Sequence, residues 1–265
     1  MGRDTMEPKR SVRSRRAAPA DLGRVPLSVS GLSKSYGEIS ALREVSFTVA
    51  RGEIFGILGP NGSGKTTTIE CVLGTRTRDG GEVEVLGLDP RANRRELFRR
   101  VGVQFQDSAW QPSIRVAEIC EVTAAFYTPE PDWQALLREF DLEKRAATEV
   151  ASLSGGERQK LSILLACMHQ PELVFLDELT TGLDPIARRG TWRFIKLLSE
   201  RGATVVLSSH YMDEVEALCD RALVLRSGEK IADGSIEQIK AQGSALLGRD
   251  ATLEDSYIAL AGGEE

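Results

Sequence analysis

The sequence predicts an α/β protein built on a parallel sheet, and three observations lead to that prediction. Short apolar stretches of strand length alternate with stretches of helical spacing along most of the 265 residues. A glycine-rich loop joins one of these strands to a helix, and another strand ends in two adjacent acids. In parallel α/β sheets the carboxyl ends of the strands share one edge, and ligands bind there. We therefore expect the loop and the acids to meet at that edge.

The individual elements follow from local patterns, beginning near residue 26. Apolar, β-rich runs predict strands at residues 27–32, 44–49, 53–58, 82–86, 101–105, 173–176, 204–208, 222–225 and 230–232. Apolar residues at helical spacing predict helices at residues 66–73, 91–100, 154–168, 186–201 and 212–219. Residues 113–150 are mostly helical, with breaks at Pro129 and Pro131. That stretch has the character of an insertion into the α/β core.

Composition restricts the class of protein. Hydrophobic residues make up 41% of the chain and charged residues 28%, which is typical of globular domains. No apolar run reaches the roughly 18 residues that a transmembrane helix needs, and the net charge of −5 disfavours general binding to nucleic acid. The four cysteines lie far apart among apolar residues, which indicates buried, reduced thiols.

Charge is unevenly distributed along the chain. Residues 1–24 contain seven of the 34 Lys and Arg residues against three acids. Composition favours a disordered, solvated tail. The alternative is attraction of this basic segment to anionic lipid headgroups.

A phosphate-binding loop is predicted where the strand at 53–58 meets the next helix. The motif G-x-x-x-x-G-K-[ST] consists of Gly59, Pro60, Asn61, Gly62, Ser63, Gly64, Lys65 and Thr66, and Thr67 follows it. Its glycines let successive backbone N–H groups face phosphate oxygens, and the helix N-terminus adds partial positive charge. Lys65 supplies a charge for the β- and γ-phosphates, and the Thr66 hydroxyl is a ligand for Mg²⁺. The motif alone indicates a P-loop NTPase, with kinases, GTPases and motors all open.

Two carboxylates end the strand at residues 173–176. Asp177 is expected beside the phosphate loop, where it can hold Mg²⁺ through water. Glu178 points differently and can polarise an attacking water. The alternative, a pair of solvent-facing acids, is disfavoured by the phosphate loop upstream.

A second anion-binding helix end is predicted at residues 153–157. Ser154 is a good N-cap, and Gly155 and Gly156 expose backbone N–H groups at the start of a long helix. Because the first loop already wraps one nucleotide, this end is expected to contact the nucleotide of another molecule. An ordinary capped helix is the alternative.

In order and spacing, these motifs resemble those of the ATP-binding subunits of ABC transporters, over nearly all of residues 27–260. The resemblance implies a RecA-like P-loop NTPase core, an N-terminal antiparallel β region and a helical subdomain inserted at about 107–168. It also implies a domain division into a basic tail at 1–24, a nucleotide-binding domain at 25–262 and a short tail at 263–265. ATP and Mg²⁺ are the implied cofactors.

The resemblance also assigns roles to single residues. Tyr36 matches an aromatic that stacks on adenine, and residues 181–184 match a loop at the subunit interface. Gln106 matches a glutamine that ligates Mg²⁺ with Thr66 and Asp177 or holds the attacking water. The implied catalytic residues are Glu178, His210 and Gln106. The implied nucleotide-binding residues are Tyr36, those of the phosphate loop through Thr67, and Ser154, Gly155 and Gly156.

Three further features of the sequence bear on the site. Leu179 stands where the family commonly has proline, whose fixed φ would stiffen the turn after Glu178. Glu157 stands where glutamine is usual. The chain has one histidine besides His210, and this residue, His169, is interpreted as a surface residue. All the groups needed for hydrolysis are present.

Residues 208–215 and 252–260 resemble the type-2 export branch, which includes drug and antibiotic-resistance ATPases. One phosphate loop per chain implies a homodimer, or a pair with a similar subunit, that powers a separate transmembrane permease. The permease is expected to contact the helical insertion, which places the chain peripherally at the cytoplasmic face of the membrane. Nucleic acid is not an expected partner, and direct membrane contact is confined to the basic tail. The alternatives are a soluble ABC ATPase in ribosome or DNA processes and a regulatory module without transport.

Overall fold

A computed structural model describes residues 25–105, 110–111 and 113–262 of the chain. The strands are β1 (Leu27–Tyr36), β2 (Ile39–Val49), β3 (Ile54–Leu58), β4 (Gly80–Val85), β5 (Val101–Gln104), β6 (Leu173–Asp177), β7 (Thr204–Ser209), β8 (Arg221–Arg226) and β9 (Glu229–Ser235). The helices are α1 (Lys65–Val72), α2 (Arg94–Leu97), α3 (Val116–Ala124), α4 (Trp133–Glu139), α5 (Gly155–Cys167), α6 (Pro185–Glu200), α7 (Met212–Leu218), α8 (Ile236–Leu247) and α9 (Leu253–Leu260).

The central sheet has the strand order β5-β6-β7-β3-β8-β9. Its first five strands are parallel, and β9 pairs antiparallel with β8. Strands β3 and β6 are buried along their whole length, as expected for parallel strands covered on both faces. The register pairs Leu58 with Ser209 and Asp177 with Ser208. The carboxyl ends of β3, β6 and β7 therefore meet, which confirms the predicted α/β core.

A second, antiparallel sheet with the order β2-β1-β4 covers one side of the core. Its apolar residues share a cluster with residues of β3, and the rings of Phe47 and Phe55 stack with centroids 5.5 Å apart. This sheet is the N-terminal antiparallel β region that the sequence predicted. Its strands run beyond the predicted ranges because pairing continues to the turn at Gly37, where Tyr36 opposes Ile39.

The helical insertion lies between β5 and β6. It contains α3, α4, two short 3₁₀ turns at Glu143–Arg145 and Val150–Ser152, and α5. Buried residues such as Cys120, Leu137 and Leu161 share one apolar cluster with Leu176 of the central sheet. The predicted boundaries at 107 and 168, like the two tails, stay predictions, because residues 1–24, 106–109, 112 and 263–265 lie outside the described part.

One prediction of local structure was wrong, and two helices were missed. The predicted helix at 91–100 is a single turn, because the Asp89 carboxylate accepts hydrogen bonds from the backbone of Arg91 and Ala92 at 2.7 and 3.1 Å. Such a turn competes with the start of a helix. The helices α8 and α9 were not predicted. All four cysteines are buried and free, as expected, and no helix in the described part is long and apolar enough to cross a membrane.

Candidate functional site

The glycine-rich loop between β3 and α1 borders a cavity of about 270 Å³. Gly62 and Gly64 have φ angles of 81° and 105°, which side chains rarely tolerate. A Cβ atom on Gly64 would lie 2.7 Å from the carbonyl oxygen of Ala41, so β2 and the loop approach as only glycine allows. The cavity is lined by Ala41, Asn61, Gly62, Gly64, Lys65, Thr66, Thr67 and Glu178.

Lys65 projects from the first turn of α1 into the loop, with its side chain only 3% exposed. Its ammonium group donates hydrogen bonds to the carbonyl oxygens of Gly59 and Pro60 at 2.9 and 3.1 Å. It also lies 3.0 Å from Oε1 of Glu178. An anion that enters the loop will therefore compete with Glu178 for this cation.

Asp177 ends β6 beside the loop and is 1% exposed. The hydroxyl of Ser208 donates to its Oδ1, whereas its Oδ2 is buried without a hydrogen-bond partner among the described residues. Burial raises the pKa of Asp177, and the hydroxyls of Ser208 and Thr66 oppose that rise. A carboxylate oxygen without a partner, next to the Thr66 hydroxyl, is a hard-oxygen donor set of the kind that Mg²⁺ prefers.

Replacing Asp177 by asparagine is expected to stabilise the protein in the absence of ATP and Mg²⁺. A raised folded-state pKa means that ionised Asp177 costs stability at neutral pH, and asparagine keeps the acceptor for Ser208 without the charge. We expect Tm to rise, and each ~1 kcal/mol gained corresponds to about 2–4 °C for a chain of this size.

Thermal unfolding at pH 7 and at lower pH tests the Asp177→Asn prediction. The rise in Tm should become smaller as the pH is lowered toward 4. Asp177 of the unaltered protein then takes up a proton in the folded state and no longer carries a buried charge. Asp250→Asn is the control, since Asp250 is exposed and does not line the phosphate-loop cavity. An unchanged or lower Tm for Asp177→Asn would contradict the prediction.

Glu178 follows Asp177 with a φ angle of 46° and a side chain that is 7% exposed. Its backbone N–H donates to the Ser208 hydroxyl at 2.9 Å, and the Thr181 hydroxyl donates to its Oε2 at 3.4 Å. Nδ1 of His210 lies 3.6 Å from Oε2. Leu179, which replaces the family's proline, is buried in the core. The turn at Glu178 is thus fixed by Ser208 and by the burial of Leu179.

Ser154 caps α5 at a different place on the molecule. Its hydroxyl donates to Oε2 of Glu157 at 2.8 Å and accepts from the Glu157 N–H at 3.3 Å. Arg145 pairs with Oε1 of Glu157 at 2.7 Å, and hydrogen bonds from Ser154 and Arg145 lower the pKa of Glu157. Among the described residues, the cavity at the phosphate loop is lined by none from the turn at residues 154–156. The two anion-binding ends therefore do not form one cavity within a single chain.

The remaining predicted residues have different outcomes. Tyr36 is 41% exposed at the end of β1, and the cations of Arg76 and Lys34 lie 5.3 and 5.5 Å from its ring centroid. Gln106 lies outside the described residues, so its roles stay predictions. The interpretation of His169 as a surface residue was wrong: its ring is half-buried and stacks on Tyr127, with centroids 4.4 Å apart.

Sequence reasoning missed Glu214, a glutamate of α7 that is 2% exposed. Its carboxylate accepts hydrogen bonds from Thr180, Trp192 and Ser209. The signal in the sequence was a charged residue on the apolar face of a helix, next to the buried Val215 and Leu218. Burial of a carboxyl group costs stability unless hydrogen bonds replace those it made with water, and these three donors provide such bonds.

The chain is similar to known proteins in both sequence and structure. A protein-family model described as ABC transporter matches residues 42–181. The Nod factor export ATP-binding protein I of Rhizobium meliloti is 40% identical over 223 residues, which cover 82% of this chain and 67% of that protein. The protein of the same name from Ralstonia nicotianae is 37% identical over 224 residues, with shares of 82% and 70%.

Among solved structures, one described as the ATP-binding subunit of an ABC transporter matches with a TM-score of 0.78 and 29% identity. The match covers 89% of this chain and 99% of that chain.

Proposed function

The chain belongs to the ABC transporter family as an ATP-hydrolysing subunit, and from that premise we propose that two copies of it power an exporter. The observation that carries this function is the buried pair of Lys65 and Glu178, 3.0 Å apart, beside Asp177. The group lies at the carboxyl ends of neighbouring parallel strands, where a cation for phosphate and a base for water are needed together.

ATP binding uses the loop and the β1–β2 hairpin. Backbone N–H groups of residues 61–67 and the Lys65 ammonium hold the phosphates, and the exposed Tyr36 ring offers a stacking surface for adenine. Thr66, Asp177 and Gln106 are the proposed holders of Mg²⁺. When bound, the metal ion neutralises charge on the β- and γ-phosphates.

Hydrolysis uses the residues around Glu178. Its carboxylate accepts a proton from the water that attacks the γ-phosphorus, and the bond to the ADP oxygen breaks to give phosphate. His210, beside Oε2 of Glu178, donates a hydrogen bond to the γ-phosphate. Phosphates at Lys65 take over the cation that otherwise pairs with Glu178, and they thereby free that carboxylate to act as a base.

Two copies complete two sites between them. The chain has one phosphate loop, and the capped turn at Ser154, Gly155 and Gly156 lies outside the cavity of its own loop. We therefore propose that this turn presents its N–H groups to the γ-phosphate of ATP on the other copy. ATP binding joins the copies and hydrolysis releases them, and this cycle drives a permease between conformations.

The permease is proposed to dock in a groove between β5 and α5. This insertion groove has a volume of about 350 Å³, and apolar side chains of Phe98, Phe105, Trp110, Tyr127 and Leu165 line it. Phe105, which lines it, directly precedes Gln106 in the sequence, and Gln106 is the residue proposed to sense the nucleotide. The relatives named for Nod factor export support export as the direction. Docked on the permease in this way, the chain lies at the cytoplasmic face of the membrane.

Replacing Phe105 by glutamate is expected to abolish permease binding and leave ATP binding intact. Phe105 is partly exposed in the insertion groove, and a carboxylate there opposes burial under an apolar partner segment. Leu246→Glu is the matched control, because Leu246 is exposed on α8, away from the groove. The measurement is co-purification of a multi-span membrane protein with the tagged chain from native membranes. Equal retention of the permease by both variants would refute the docking site.

The whole function is tested with the purified complex in lipid vesicles. We expect Mg²⁺-dependent ATP hydrolysis together with ATP-dependent movement of a solute. If the chain co-purifies with ribosomes or DNA and with no membrane protein, the result would support the alternative of a soluble ABC ATPase in ribosome or DNA processes. A complex that hydrolyses ATP but moves no solute would support a regulatory module.

A further inference from the structure

A carboxylate inside the protein, away from the phosphate loop, ties together the segments that carry Glu178 and His210. Glu214 is 2% exposed, and all its hydrogen-bond donors are neutral side chains. The Thr180 hydroxyl and the Trp192 indole N–H donate to Oε1 at 2.8 and 3.0 Å. The Ser209 hydroxyl donates to Oε2 at 2.6 Å. Such bonds to an ionised acceptor are roughly twice as strong as neutral ones.

The three donors come from three separate functional segments. Thr180 follows Glu178 by two residues, and Ser209 immediately precedes His210. Trp192 lies on α6, the helix whose N-cap is Asp184 in the predicted interface loop. One carboxylate therefore holds the turn of the proposed base, the turn of the proposed γ-phosphate contact, and the helix that starts at the predicted subunit interface.

Direct contact between Glu178 and His210 does not set their separation. The distance of 3.6 Å from Nδ1 of His210 to Oε2 of Glu178 is too long for a hydrogen bond. Nδ1 has no hydrogen-bond partner among the described residues. The placement of the histidine must come from the backbone that carries it, and Ser209 is where that backbone is held. The Ser209 hydroxyl also accepts the N–H of Tyr211 at 3.0 Å, so it fixes both sides of His210.

A second contact with α6 supports the same turn from outside. The Arg188 guanidinium lies 4.2 Å from the centroid of the Tyr211 ring and pairs with Asp213 at 2.9 Å. The rings of Tyr211 and His210 are 4.1 Å apart. Arg188 and Trp192 are four residues apart on α6 and so project from the same face of that helix. That face of α6 contacts Tyr211 directly through Arg188 and is linked to Ser209 through Trp192 and Glu214. It therefore supports the residues on both sides of His210.

We propose that Glu214 is a positioning residue for ATP hydrolysis, which holds the Glu178 and His210 turns in register with each other and with α6. The inference rests on the proposed function and adds to it a buried residue that does not line the phosphate-loop cavity. Glutamine at this position has nearly the same shape but only one acceptor oxygen. Its amide N–H₂ must then face either the Trp192 N–H, with which it cannot form a hydrogen bond, or the Ser209 hydroxyl, whose bond reverses direction and loses its charge assistance.

The test compares Glu214→Gln with Glu216→Gln, a control on the same helix whose side chain forms an exposed pair with Lys240. We expect kcat for Glu214→Gln to fall by about tenfold or more, as loss of a hydrogen bond to a charged group implies. Affinity for a fluorescent ATP analogue should stay within about threefold of the unaltered protein, since the phosphate loop is not involved. Trp192→Phe removes a single donor and serves if Glu214→Gln folds poorly. Its kcat should fall in the same direction.

A double-mutant cycle separates positioning from general stabilisation. Because the proposed role is to keep the Glu178 and His210 turns in register with each other, that role is void once the His210 side chain is gone, and Glu214→Gln should add little to the loss already caused by His210→Ala. A further drop of about tenfold in the double variant, or normal kcat for Glu214→Gln and Trp192→Phe, would overturn the inference while the proposed function stands. If the unaltered protein and Glu216→Gln hydrolyse no ATP, the proposed function fails and the positioning role falls with it.

Discussion

Replacing Glu178 by glutamine is expected to lower the rate of ATP hydrolysis by about a hundredfold or more, while ATP still binds. A positioned general base contributes about 10²- to 10⁴-fold to such a rate, and glutamine cannot accept the proton. The substitution keeps the size of the side chain, and its amide oxygen can still face Lys65. Loss of rate without loss of binding would therefore report the chemistry of the carboxylate.

ATP affinity is expected to be equal or greater in the Glu178→Gln variant. Glu178 pairs with Lys65 at 3.0 Å, and both side chains are buried, so the carboxylate competes with phosphate for the same cation. It also places negative charge next to the proposed γ-phosphate position. Removal of that charge should favour the ATP-bound pair of subunits, which should accumulate as a dimer in size-exclusion chromatography with ATP.

Glu172→Gln is the matched control for Glu178. Glu172 immediately precedes the other end of β6, where it pairs with Arg100 at 2.7 Å on a partly exposed surface. We expect normal turnover for this variant, measured as phosphate release from the complex. Normal turnover of Glu178→Gln itself would remove Glu178 from the role of base.

The parts of the site that could be predicted from sequence are those that local chemistry dictates. The turns at Gly62 and Gly64 need positive φ angles, and the strand before Asp177 is too apolar to lie anywhere but in the core. Each of these signals lies within a few consecutive residues. A parallel sheet then brings their ends together without any further information.

What could not be predicted depends on contacts between distant segments. The donors of Glu214 come from positions 180, 192 and 209, and no local pattern indicates that they converge. The stack of His169 on Tyr127 is likewise a tertiary contact. The helix α8 was missed because Gly243 resembles a helix break. The structure shows that Gly243 packs directly on Ser256 of α9, where a Cβ atom would lie 2.2 Å from the Ser256 hydroxyl oxygen.

Mixing two inactive variants, Lys65→Gln and Gly155→Asp, is expected to restore ATP hydrolysis. Lys65→Gln removes the cation from the phosphate loop but keeps donors toward Gly59 and Glu178. Gly155→Asp places a negative charge at the first turn of α5, where it would repel a phosphate. A helix N-terminus favours an acidic residue, and the new Cβ atom would lie 3.3 Å from the flexible end of Leu183, so this variant should fold.

Each variant alone should lose nearly all activity, because both sites of its homodimer carry the defect. In an equal mixture about half of the dimers contain one copy of each variant. If a phosphate loop works with the Ser154 turn of the other copy, every mixed dimer has one intact site and one site with both defects. Phosphate release should then recover to about a quarter of the unaltered rate, provided that the two sites act independently.

A chain that carries both substitutions should lower the activity of unaltered chain. The size of that loss distinguishes a site shared between two copies from a site formed within one chain. When this double variant is mixed equally with unaltered chain, sharing between copies puts one defect into each site of a mixed dimer. Only unaltered homodimers stay active, so about a quarter of the activity should remain. If each chain instead formed its own site, the unaltered copy would work in any dimer and about half would remain. Recovery in the first mixture with a loss to a quarter in the second is therefore expected only if the Ser154 turn acts on the nucleotide of its partner.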